Sequence, residues 1–73
     1  MVYSMLETTR KLRTAIEASQ RYGGYILPLA RSVGAEFRDV AWGDFARELS
    51  AYGYWGGHAE SSVKRAFEAG RLA

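Results

Sequence analysis

The sequence predicts an all-α fold, a bundle of about four short helices in a single domain that spans residues 1–73. Apolar residues recur every three or four positions in several segments, which places them on one face of a helix. Glycines separate these segments from one another. Strand signals are almost absent, because the one candidate, residues 25–27, precedes Pro28, which cannot donate a hydrogen bond in a central strand.

The first helix is predicted to begin at Ser4, because Ser4 and Glu7 have the spacing of a capping box. We expect Gly23 and Gly24 to end it, since glycine adopts the left-handed conformation that commonly closes a helix. The residues expected on its inner face are Met5, Leu12, Ile16 and Ser19.

The second helix is predicted over residues 27–33, with Pro28 in the first turn, where a missing N–H is tolerated. We expect Gly34 to end it. The third helix is predicted to begin between Asp39, a candidate N-cap, and Trp42. The residues expected in the core from these two helices are Ile26, Leu29, Ala30, Val33, Trp42, Phe45, Ala46, Leu49 and Tyr52.

A turn rich in glycine is predicted to follow the third helix, because Gly53, Gly56 and Gly57 would each weaken a continuous helix by about 1 kcal/mol relative to alanine. The fourth helix is predicted over residues 59–68. Gly70 is expected to stop it, before a frayed tail at residues 71–73. The residues expected on its inner face are Ala59, Val63, Ala66 and Phe67.

The composition limits the classes of function. The chain has 73 residues and no cysteine, which excludes disulfides, thiolate metal sites and cysteine nucleophiles. Apolar runs are far shorter than the roughly 20 residues that cross a bilayer, and charged residues interrupt the first twelve positions, so we expect neither a membrane span nor a secretory signal. A cytoplasmic location fits these features best.

Few residues are suited to catalysis or to binding a cofactor. His58 is the single histidine, and no pair of carboxylates lies in a sequence context that predicts an apolar pocket. We therefore expect no enzyme activity, no metal and no cofactor, and we interpret His58 as a polar residue at the start of the fourth helix.

Charge is distributed unevenly along the chain, whose net charge is +2. The middle segment, residues 34–60, is acidic, whereas residues 1–33 and 61–73 are basic. This order is typical of a protein with a basic surface on one side, and it also occurs in ordinary solvated domains. Arg10, Lys11 and Arg13 either extend such a surface or lie on an unrelated face.

The fourth helix is predicted to direct polar and cationic side chains away from the core, namely Ser61, Ser62, Lys64, Arg65 and Glu68. A helix that enters the DNA major groove needs short polar and cationic groups of this kind in its N-terminal half. The alternative interpretation is that these residues form only the solvated face of an amphipathic helix.

Residues 40–68 resemble the helix-turn-helix proteins, in the pattern Trp42-x-x-Phe45-Ala46-x-x-Leu49, then Gly53, then Ser61-Ser62-Val63-Lys64-Arg65. They are similar in particular to small regulators from bacterial conjugative and other mobile elements. This resemblance implies that Ser61, Ser62, Lys64 and Arg65 belong to a recognition helix. It also includes antiactivators that kept the fold but bind proteins.

Two hypotheses of function follow. The first is a small transcriptional regulator that binds double-stranded DNA through Ser61, Ser62, Lys64 and Arg65, and we expect such a regulator to form a homodimer. The second is an antiactivator or inhibitor that binds a regulatory protein through Tyr54, Trp55 and the acidic stretch at residues 36–48. Tyr54 and Trp55 either fold back on the core or protrude as anchors of an interface.

Overall fold

The computed structural model describes the backbone of residues 2–21 and 23–73 and the side chains of residues 7–21 and 23–73. In these residues all the regular secondary structure is helical, with no strands, which confirms the predicted fold class. The four helices are α1 (Val2–Arg21), α2 (Ile26–Glu36), α3 (Trp42–Tyr52) and α4 (Glu60–Leu72).

The four helices share one hydrophobic core. Two of its rings, Phe45 of α3 and Phe67 of α4, stack with their centroids 5.5 Å apart, and Trp42 packs against both. Offset aromatic pairs of this kind add to the stability that burial alone provides. The buried hydrophobic residues are Leu12, Ile16, Ile26, Ala30, Val33, Val40, Phe45, Leu49, Val63 and Phe67.

Helix α1 begins at Val2, so the prediction that Ser4 caps its N-terminus is wrong, and Ser4 lies inside the helix. The Ser4 and Met5 side chains lie outside the described residues. The predicted end is confirmed, since α1 ends at Arg21 and Gly23 has a φ of 70°.

Helix α2 is longer than predicted at both ends. It continues through Gly34 to Glu36, so the prediction that Gly34 stops it is wrong. Gly34 is instead buried against α4, where a Cβ would overlap the Phe67 carbonyl oxygen and lie 2.9 Å from the carbonyl carbon. The glycine is needed for the close approach of a second backbone.

Helix α4 differs from its prediction for the same reason. It continues through Gly70 to Leu72, so Gly70 is not its stop. A Cβ on Gly70 would overlap the Arg31 carbonyl oxygen and lie 2.8 Å from the carbonyl carbon. Both glycines therefore lie where the backbones of α2 and α4 meet.

The predicted frayed tail is also wrong at Arg71. Its guanidinium donates hydrogen bonds to the carbonyl oxygens of Phe37, at 2.8 Å, and Val40, at 2.6 Å. The same group lies 4.5 Å from the centroid of the Phe67 ring, a distance that suits a cation–π contact. Arg71 thus fixes the end of α4 to the turn between α2 and α3.

Helix α3 begins at Trp42, within the predicted interval, but Ala41 and not Asp39 is its N-cap. It ends at Tyr52, and Gly53 is a left-handed C-cap with a φ of 65°. Residues 53–59 then connect α3 to α4, with Gly56 and Gly57 also at positive φ. The predicted glycine turn is therefore confirmed.

The packing of α4 differs from that of a compact helix-turn-helix unit. Its backbone lies against α2, whereas α3 reaches it mainly through Trp42 and Phe45, both of which contact Phe67. Helix α1 packs on α2 and α3. Over the part of the chain that the structure describes, none of the helices combines the length and apolar character that a bilayer span requires.

Candidate functional site

The outward side of α4 carries most of the residues proposed to contact DNA. Ser61, Lys64 and Arg65 are exposed, whereas Val63 and Phe67 on the opposite side are buried. This separation follows from the helical repeat, which brings residues three or four apart to one face. The structure therefore places these three side chains on the surface of one helix.

Ser62 differs from its neighbours, because it is half-buried. It lies one turn before Ala66, which lines a groove between α2 and α4. Ser62 therefore belongs to the flank of α4 nearest α2, and it is not on the fully exposed side with Ser61, Lys64 and Arg65.

Lys64 and Arg65 are the two cations on the outward side of α4. Among the side chains that the structure describes, none forms an ion pair with Lys64 or Arg65. Glu68 is exposed one turn further along the helix, and Glu60 lies in the first turn. The outward side of α4 thus combines two cations with the Glu68 carboxylate, and Glu60 lies at the N-terminal end of the helix.

The basic residues of α1 are placed differently. The Arg13 guanidinium pairs with both oxygens of Glu48 on α3, with its Nε 2.9 Å from Oε1. The hydrogen bond that Arg13 donates to Glu48, together with the negative charge of Glu48, raises the pKa of Arg13 above its ordinary value. The Nζ atom of Lys11 lies 3.9 Å from Oε1 of Glu7, on the same helix. Because α1 packs on α2 and α3, Arg13 links α1 to α3 and is not part of the α4 surface.

Tyr54 folds back on the core. Its hydroxyl donates a hydrogen bond to the Gly24 carbonyl oxygen. A phenol has a single proton, so Ser19 Oγ, at 3.0 Å, is the donor in the second hydrogen bond. These two contacts attach the α3–α4 connection to the C-terminal end of α1.

Trp55 also folds back on the core, through ring packing. It meets Trp42 edge-on, with a centroid distance of 6.4 Å, and both rings are half-buried against the core. In the adjacent acidic stretch Glu48 is paired with Arg13, and Asp44 lies 3.7 Å from Arg47. Much of the surface suggested for a protein partner is therefore engaged in contacts within the fold.

Comparison with models of known protein families, with characterised proteins and with solved structures finds no match to this chain. The site is therefore interpreted from its own geometry. His58 is exposed in the turn before α4. Among the described residues no three histidine, aspartate or glutamate side chains come together in a group that could hold a metal ion.

Sequence reasoning missed the groove between α2 and α4. It is lined by Leu27, Pro28, Arg31, Ala66 and Ala69. A signal for it was present in the sequence, because both helices carry the spacing Ala-x-x-x-Gly, at residues 30–34 in α2 and 66–70 in α4. Small residues one turn apart allow two helix backbones to approach closely.

Proposed function

We propose that this protein is a small DNA-binding transcriptional regulator whose helix α4 contacts the duplex. The observation that carries the proposal is the outward side of α4, where Lys64 and Arg65 are exposed and none of the described side chains forms an ion pair with either. Cations presented together on one helix favour contact with phosphates, which supply most of the affinity of a DNA-binding protein.

The role of each side chain follows from its position on the helix. Ser61 and Arg65 lie on the side opposite the buried Val63 and Phe67, where they would reach base edges in the major groove. Lys64 lies to one side of them and would contact a phosphate. Glu68 lies in the C-terminal half of α4, which a recognition helix keeps farther from the bases.

Ser62 has a smaller role in this proposal than the sequence suggested. Ser62 is half-buried on the flank of α4 nearest α2. In this proposal it would therefore lie near the DNA backbone and would not contact bases. A homodimer in a bacterial cytoplasm, of the kind found among regulators of mobile elements, is part of the proposal. Two copies on two half-sites would raise the affinity of so small a contact surface.

The test is fluorescence anisotropy of a labelled random DNA duplex, titrated with protein at several salt concentrations. We expect the logarithm of the association constant to fall linearly with the logarithm of the salt concentration. The double substitution Lys64→Ala with Arg65→Ala should reduce that slope by at least about 0.9, because Lys64 makes a phosphate contact and each such contact contributes about 0.9. Circular dichroism should show unchanged helix content.

The matched control is the double substitution Arg10→Ala with Arg21→Ala, which removes the same charge from exposed positions on α1. It should leave the salt slope close to that of the original protein. An equal loss in both double variants would contradict a site on α4, because it would show that binding depends only on net charge.

A protein-binding regulator is the second candidate. Leu72 is 88% exposed near the end of α4, and Tyr54 and Trp55 keep part of their rings at the surface. Partly exposed Tyr and Trp rings are typical anchors of protein interfaces, which supports a protein partner. Absence of DNA binding even at low salt would favour this candidate over the first.

A further inference from the structure

The groove between α2 and α4 has an apolar floor and a basic edge. Leu27 and Pro28 of α2 face Ala66 and Ala69 of α4, and Arg31 is the charged residue among those that line it. None of the described side chains that line it is acidic. An anionic partner therefore fits this groove better than a cationic one.

Beside this groove the two helices touch through their backbones. Gly34 and Gly70 allow this contact, and each would clash with the opposite backbone if it carried a Cβ. The outer sides of α2 and α4 consequently form one continuous surface. A ligand that lies along α4 can also reach α2.

Arg31 and Arg65 lie on the two sides of this groove. Arg31 belongs to its α2 edge, and Arg65 lies one turn before Ala69 on the α4 edge. Both are exposed, and neither forms an ion pair with a side chain that the structure describes. The small alanines between them leave space for a bulky partner.

We infer that Arg31, at the α2 edge of this groove, makes a phosphate contact with the DNA backbone in addition to the contact of Lys64. The inference rests on the proposed DNA binding. In a compact helix-turn-helix the helix before the recognition helix crosses the DNA backbone. Here the backbone of α4 lies against α2 and not α3, so α2 takes that position.

The experiment compares Arg31→Ala with Arg47→Ala in the same salt titration of a random duplex. Arg47 is an exposed arginine of α3, the helix that would cross the backbone in the compact arrangement. We expect Arg31→Ala to lower the salt slope by about 0.9 and the affinity at 0.1 M salt by on the order of tenfold. Arg47→Ala should change neither, and Arg31→Lys should preserve the slope, because a lysine keeps the charge.

The outcomes distinguish a failure of this inference from a failure of the proposed DNA binding through α4. If the unsubstituted protein does not bind the duplex, both fail. A second outcome is that the protein binds the duplex, and the salt slope falls in the Lys64 and Arg65 double variant but not in Arg31→Ala. In that case only the role of α2 is overturned. An effect of Arg47→Ala equal to or greater than that of Arg31→Ala would also overturn it, in favour of docking through α3 or of a nonlocal charge effect.

Discussion

At the scale of single residues, two polar links join α1 to α3 beside the shared core. One is the Arg13–Glu48 ion pair, and the other is a hydrogen bond of 2.6 Å from the Tyr52 hydroxyl to Glu17 Oε2. The hydrogen bond to Glu17 raises the pKa of Tyr52, with burial and the Glu17 charge acting in the same direction. Arg13 opposes that shift.

The raised pKa of Tyr52 predicts a dependence of stability on alkaline pH. A phenol whose pKa is higher in the folded than in the unfolded state stabilises the fold below its unfolded pKa of about 10. This contribution is lost as the pH rises through the folded pKa. We therefore expect the difference in unfolding free energy between the original protein and Tyr52→Phe to shrink above about pH 10.

Urea denaturation at pH values from neutral to strongly alkaline, followed by circular dichroism, measures this difference. Other groups titrate equally in both proteins, so their contributions cancel in this difference. Tyr25→Phe is the control for removing a hydroxyl from a surface ring, since Tyr25 is 79% exposed. A difference between the original protein and Tyr52→Phe that stays constant with pH would contradict the prediction.

At the scale of elements, the contact between α2 and α4 positions the candidate site. Gly34 and Gly70 allow the two backbones to touch, and Arg71 then binds the carbonyl oxygens of Phe37 and Val40 beyond the end of α2. Charge-assisted hydrogen bonds to carbonyl groups are among the stronger polar contacts in proteins. The orientation of α4, and hence of Lys64 and Arg65, depends on this contact.

Substitution of the two buried glycines should therefore destabilise the protein. Gly34→Ala and Gly70→Ala each place a methyl group against the opposite backbone, which no rotamer change can relieve. We expect each to lower the unfolding free energy by about 1–3 kcal/mol, the usual range for overpacking. This loss outweighs the gain in helix propensity.

Gly43→Ala is the matched control for these substitutions. Gly43 also lies in a helix, but a Cβ there meets no atom within 4 Å. The same change should therefore stabilise the protein, by up to about 1 kcal/mol, through helix propensity alone. Thermal unfolding of the three variants tests this contrast, and a stabilising effect at Gly34 or Gly70 would show that the helices do not touch as described.

At the scale of the whole molecule, one core joins all the helices. The radius of gyration is 11.3 Å, close to the roughly 11 Å expected for a folded chain of this length. Phe45 and Phe67 connect α3 to α4, while Leu12 and Ile16 bring α1 into the same cluster. No described helix has a separate core of its own.

A single shared core predicts cooperative unfolding. Fluorescence of Trp42 and Trp55 reports on α3 and the connection to α4, whereas far-ultraviolet circular dichroism reports on all four helices. We expect the two signals to give the same urea midpoint. Phe45→Ala should shift both midpoints together and lower the unfolding free energy by about 3–5 kcal/mol. Two separate transitions would mean that α1 or α4 unfolds independently.

Several features of this fold were predictable from the sequence alone. The helical class, the glycine turn after α3 and the apolar faces of the helices all follow from local spacing. Buried positions such as Ile16, Val33 and Leu49 were predicted from that periodicity. The same spacing placed Ser61, Lys64 and Arg65 on the exposed side of α4.

Only the tertiary structure decided how the helices meet. A glycine that ends a helix and a glycine that admits a neighbouring backbone are the same residue in the sequence, so Gly34 and Gly70 were predicted to be stops. Arg71 was assigned to a frayed tail because its carbonyl partners lie in a distant turn. Local propensity depends on neighbours along the chain, whereas the contact of α2 with α4 depends on residues more than thirty positions apart, such as Phe37 and Arg71.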